Sequence, residues 1–145
     1  MTQGDRRSVK LGDIYAIPLP DGNYAFGRTF LDSGLAIYKQ ISNRIDDIPA
    51  REEYQFIVGV YRSALKSGDW PVVGNRPFQD EEEAWPPPSC IVDRITGQYS
   101  IYHKGEITKS TYSECEGLEI TAVWAAEQII DRIMGVEKWH KNFRM

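Results

Sequence analysis

Histidine and cysteine each occur only twice in these 145 residues, and that scarcity removes most of the side chains on which catalysis and metal binding depend. Nucleophilic catalysis needs a Ser or Cys within reach of a base, and neither His103 nor His140 sits in a recognisable motif. Cys90, His103 and Cys115 lack the closely paired spacing of structural zinc sites, so no metal is expected. No Gly-Lys-Ser or Gly-Lys-Thr occurs, and Gly12, Gly22, Gly27 and Gly34 do not approach a phosphate-cradling pattern, which leaves nucleotide cofactors without support. Long apolar runs are missing as well: nothing comes near the roughly 18 consecutive apolar residues of a spanning helix, so no membrane partner is expected. Residues 1–10 are polar and charged, without the apolar segment of an export signal. The expectation is a cytoplasmic protein whose two thiols stay reduced. Basic charge is in deficit too. Seventeen Lys and Arg against 21 Asp and Glu give a net charge of −4, the wrong average sign for the phosphate backbone of nucleic acid.

What is present is ordinary globular material with a bias toward sheet. Hydrophobic residues make up 41% and aromatic residues 12%, including eight Tyr and four Trp. The length suits one domain over 1–145, with 1–10 as a flexible leader and 136–145 as a C-terminal tail. Residues 11–19 read as a strand, Pro20, Asp21, Gly22 and Asn23 as a turn, and 24–32 as a second strand with a period of two. A third strand is expected over 35–41 and a fourth over 54–61, with Gly59 marking a bulge. Residues 62–69 suit one helical turn, and Pro71 confines the apolar piece 70–74 to a sheet edge or a strand start. Residues 90–95 and 98–103 form another hairpin through Thr96 and Gly97.

From 120 to 134 the period becomes helical, with Ala122, Val123, Ala126, Ile129, Ile130, Ile133 and Met134 on one face and Gly135 at the C-terminal cap. The expected class is therefore α+β: a mainly antiparallel, strongly bent, half-barrel-like sheet whose open side is covered by one amphipathic C-terminal helix.

Two features suggest partner binding. The helical wheel puts Trp124 opposite the apolar stripe, where it is either covered by a tail containing Trp139 and Phe143 or serves as a partner-binding anchor. Asp80, Glu81, Glu82 and Glu83 stand beside Trp85, which reads either as a solvated loop or as a docking patch for a basic protein. Two other readings remain open. One is a small β-sheet module that binds a peptide or small ligand, with Tyr15, Tyr24, Phe26 and Tyr38 as its wall unless they are core. The other is a small hydrolase or nuclease using carboxylates and His103.

Four pieces of the sequence belong together. They are Lys10-Leu11-Gly12-Asp13-Ile14-Tyr15-Ala16-Ile17-Pro18-Leu19, Asp21-Gly22-Asn23-Tyr24-Ala25-Phe26-Gly27-Arg28, Trp70-Pro71-Val72-Val73-Gly74 and Gly117-Leu118-Glu119. With these pieces the chain resembles the immunity protein 26 family of bacterial polymorphic-toxin systems, over about 10–135. The resemblance implies a cytosolic, non-enzymatic protein that binds and blocks a cognate toxin, as a stoichiometric inhibitor without cofactors. It hands over no interface residues, because the quoted motifs are turn and core positions.

Overall fold

A polar turn between two alternating runs builds the first hairpin. In a computed structural model that describes residues 9–136, 138, 139, 144 and 145, β1 (Asp13–Pro18) pairs antiparallel with β2 (Tyr24–Thr29), Pro18 opposite Tyr24 and Ile14 opposite Arg28. Gly22 takes φ +89° in the turn, a conformation that suits glycine. The Asp21 carboxylate accepts the Asn23 N–H at 3.0 Å, and the Leu19 N–H reaches the Asn23 carbonyl at 2.8 Å. Most of the polar leader, together with His140 and Phe143, lies outside the described residues.

The meander continues through β3 (Gly34–Tyr38) and β4 (Tyr54–Val60). Helix α1 (Arg62–Lys66) then leads to β5 (Val72–Asn75), which takes the edge beside β1. At the far edge lies β9 (Val123–Trp124), so the six-stranded order is β5-β1-β2-β3-β4-β9. Its single parallel pair is β4 with β9. The expected α+β class and C-terminal helix are present, but the sheet stays open rather than curling into a barrel. The expected hairpin through Thr96 and Gly97 is present, but it belongs to a second, three-stranded antiparallel sheet that was not expected. This sheet consists of β6 (Ser89–Val92), β7 (Tyr99–His103) and β8 (Glu106–Ser110), followed by helix α2 (Tyr112–Cys115).

The six-stranded sheet is apolar on both faces. One face gathers Tyr15, Ile17, Leu35, Ile37, Phe56 and Val58 under α1 and under α3 (Ala126–Ile133), which contributes Ile129, Ile130 and Ile133. The other face holds Ile14, Ala16, Phe26 and Tyr38. At about 25 cal/mol per Å² of apolar surface, residues buried this fully drive the fold more than any polar contact.

Two local readings are corrected. The helix begins at Ala126, not near 120, because Val123 and Trp124 are extended and pair with β4: the Tyr61 N–H donates to the Trp124 carbonyl at 3.0 Å. The Gln128 side chain accepts the Ala125 N–H at 2.9 Å and marks the true start. Gly135 ends the helix at φ +78°, and the Val136 N–H closes back onto the Asp131 carbonyl at 2.9 Å. Gly59 is likewise not a bulge. It pairs in register with Gly34, and a side chain there would bring its Cβ to 2.9 Å from the Ala122 carbonyl oxygen, so glycine is what lets β9 approach β4. The irregularity in this ladder falls instead between Ile37 and Tyr38.

Candidate functional site

The two sheets meet along a seam roofed by Pro86, Pro87 and Pro88, which lies over the face of β2, β3 and β4 opposite α3. Gly34 makes the close approach possible, since a Cβ there would sit 2.7 Å from the Pro86 ring. Two adjoining hollows of about 470 and 490 Å³ open along this seam and share Ile57, Pro86, Pro87 and His103. Asp32, Tyr102, Lys104 and Val123 line the first. Arg28, Glu52, Tyr54, Glu82, Glu83 and Trp85 line the second.

The acidic run forms this site's rim as a fixed turn. Glu81–Ala84 is a 3-10 helix whose N-cap, Asp80, accepts the Glu83 N–H at 3.1 Å. Ala84 is fully buried and its carbonyl accepts the Leu31 N–H at 2.9 Å, which ties the turn to the β2–β3 connection. Glu82 pairs with Lys104 of the β7–β8 turn, so the rim reaches across the seam. Glu82, Glu83 and Trp85 therefore line one hollow together, Asp80 holds the turn, and Glu81 is exposed beside them.

Trp124 is somewhere else. It lies in β9 rather than on a helix, is only 3% exposed, and packs in the main core with Val60 and Ile129. The Arg132 guanidinium stands 5.3 Å from its ring centre. Trp139 packs against the same core and donates its indole N–H to Asp131 at 3.0 Å, whereas Phe143 lies outside the described residues. A surface anchor at Trp124 is thus corrected to a core residue. The aromatic wall is corrected too: Phe26 and Tyr38 are fully buried, and Tyr15 belongs to the opposite face of the sheet.

Beneath the second hollow lies a charged network that sequence reasoning missed. The Arg28 guanidinium donates to Glu52 at 2.9 Å, to the Arg76 carbonyl at 3.0 and 2.6 Å and to the Pro77 carbonyl at 3.0 Å, with the Phe78 ring 3.7 Å away. Glu52 also accepts from Tyr38 at 2.9 Å and from Tyr54 and Arg76. Burial alone would raise the Glu52 pKa. Hydrogen bonds from Tyr54, Arg76 and Tyr38 and the charge of Arg28 outweigh that and hold it below the ordinary carboxylate value. Burial, then the Glu52 carboxylate, pushes Tyr54 up to about 12 and raises Tyr38 further. The available signal was Arg28 itself, a charge on the aromatic side of an alternating strand.

All three non-glycine residues with positive φ among the described residues, Asp32 (58°), Ser33 (58°) and Lys104 (54°), line the first hollow. Such conformations are uncommon and concentrate where surrounding structure over-determines them, often at functional sites. His103, half-buried, faces both hollows. Cys90 and Cys115 are buried free thiols of the second sheet and α2, and burial, then the Cys115 thiol, pushes Cys90 up to about 12. Among the described residues no group of three or more His, Cys, Asp or Glu side chains is placed to hold a metal ion, and no helix is long and apolar enough to cross a membrane.

The family model for immunity protein 26 (Imm26) matches residues 10–101, well over half of the chain. The chain belongs to the immunity protein 26 family. The Imm26 match runs from the start of the first sheet into β7 and takes in Arg28, Glu52, the acidic turn and Trp85. It stops short of the 10–135 anticipated from the motifs, so Gly117-Leu118-Glu119, Trp124 and α3 lie beyond it. No curated protein and no solved structure matches the chain.

Proposed function

We propose that the chain binds a cognate protein toxin in the cytoplasm and neutralises it as a stoichiometric, non-enzymatic inhibitor that needs no cofactor. Membership of an immunity-protein family carries this reading. The acidic turn Asp80, Glu81, Glu82 and Glu83, with Trp85 beside it, is the proposed docking rim. Its support is that the turn is hydrogen-bonded in place rather than loose, and that Trp85, half-buried, combines an apolar body with a polar edge at the margin of a hollow. Ordered charges of one sign steer a basic partner without losing side-chain and backbone freedom on contact. The reading as a peptide or small-ligand module loses its motive, because Phe26 and Tyr38 are core, Tyr15 lies on the opposite face of the sheet and Tyr24 packs half-buried against the Phe26 cluster.

The test is growth protection. The product of the gene adjacent to this chain's own, expressed from an inducible promoter, should arrest growth, and co-expression of the chain should restore it with a one-to-one complex recovered on gel filtration. Arrest that persists at equal expression of both proteins rejects the reading.

A further inference from the structure

The acidic turn borders only one of the two hollows, and the charges along the whole seam do not balance. Along the second hollow Arg28 is paired with Glu52, and Glu82 with Lys104 from the first. Glu119, which also lines the first, is paired with Arg132. One carboxylate then remains in each hollow without an ion-pair partner among the described residues. These are Asp32 in the first and Glu83 in the second. Asp32 is held in a positive-φ turn and accepts the Tyr102 hydroxyl at 2.7 Å, which leaves most of its acceptor positions open. Between the two acids the shared surface is made by Ile57, Pro86 and Pro87 and is apolar apart from the His103 imidazole.

We propose that this seam receives one segment of the toxin, bearing two basic side chains flanking an apolar one, with one cation at Asp32, the other at Glu83 and the apolar residue against Ile57 and the prolines. The proposal rests on the toxin-binding reading and names the chemistry it recognises. Each hollow is within the ~300–1,000 Å³ range of side-chain and small-ligand sites, so each accommodates a Lys or Arg side chain without opening the fold. Sign complementarity selects the occupant: an acidic segment would meet two uncompensated carboxylates, and a neutral one would leave both unpaired.

The probe is an octapeptide of alternating Lys and Val, titrated into the ¹⁵N-labelled chain, with alternating Glu-Val and Ser-Val octapeptides as controls. Amide shifts at Ser33, Gly59, His103 and Val123 are expected for the Lys peptide only. Val123 is 51% exposed and lines the first hollow, so Val123→Arg places a cation there with little cost to the core and should weaken binding at least tenfold. Asp32→Asn, which keeps a residue tolerant of positive φ, should weaken it severalfold and serves if Val123→Arg does not fold. Shifts confined to Glu81, Glu82 and Glu83, equal binding by the control peptides, or unchanged affinity in the folded variants would overturn the proposal. Growth protection separates the two ideas. Protection without seam binding leaves the toxin reading and removes the seam, whereas seam binding without protection removes the toxin as its occupant and leaves only a site for basic segments.

Discussion

Leu31 donates its backbone N–H to the carbonyl of Ala84 at 2.9 Å, joining the β2–β3 connection to the end of the acidic turn. Four neighbouring acids would splay apart if nothing held them. Here Asp80 caps the turn and Ala84 is fully buried, so repulsion acts within a fixed frame. Asp80→Ala should therefore cost about 1 kcal/mol of stability, the usual worth of an N-cap. It should also speed hydrogen exchange at Leu31 and Glu83 while leaving exchange in β1 unchanged. Exchange at Leu31 equal to that of the parent chain would mean the cap does not hold the turn.

Charge on the same turn should act on rate rather than on folding. Glu81→Gln and Glu82→Gln in one chain keep the Asp80 cap and Glu83, and lose one exposed pair, Glu82 with Lys104, worth at most about 1 kcal/mol. Association with the cognate toxin should slow about tenfold at low salt and lose most of its salt dependence, with dissociation changed much less. Stopped-flow association at two ionic strengths measures this, and an unchanged rate at low salt would remove the steering role.

Trp124 makes the opposite kind of prediction. With the side chain inside the main core, Trp124→Ala should destabilise by roughly 3–5 kcal/mol, the range for deleting a large buried aromatic. Urea unfolding checks the value. A loss under about 1 kcal/mol would return Trp124 to the surface role suggested by the helical wheel.

That reversal shows where the sequence was legible and where it was not. Period-two runs and the Asp21, Gly22, Asn23 turn specify the first hairpin through contacts a few residues apart, and they lie where expected. The segment around Trp124 has apolar residues at helical spacing, yet Val123 and Trp124 are extended because β4 offers them a parallel edge from more than sixty positions away. Local pattern carries no signal for such a partner. The Arg28–Glu52 network was hidden for the same reason. Arg28, Glu52 and Arg76 come from three separate stretches, and only the fold brings them together. The acidic turn was visible as composition, but not its cap or its tie to Leu31.

Glu52 ties those three stretches together, so it should govern how stability depends on pH. Its folded pKa lies below the ordinary 4.5, because the hydrogen bonds from Tyr54, Arg76 and Tyr38 and the charge of Arg28 outweigh burial. As pH falls, the unfolded chain takes up its proton at Glu52 first, so the stabilisation is complete above pH 4.5 and is lost as pH drops through the lower folded value. The alkaline side has the opposite sign. Tyr54 is raised from 10.0 to about 12, so its contribution is complete below pH 10 and is lost between there and about 12. Glu52→Gln removes the acid-side term and leaves Arg28, which has 7% of its side chain exposed, without its carboxylate. Breaking a buried pair costs roughly 3–5 kcal/mol, and the 36% exposure of the Glu52 side chain reduces this to about 2 kcal/mol at pH 7. Urea unfolding of the parent chain and the Gln variant between pH 3 and 7 should therefore give curves that converge toward the acid end. Curves that stay parallel down to pH 3 would show that Glu52 is not the group whose protonation weakens the fold.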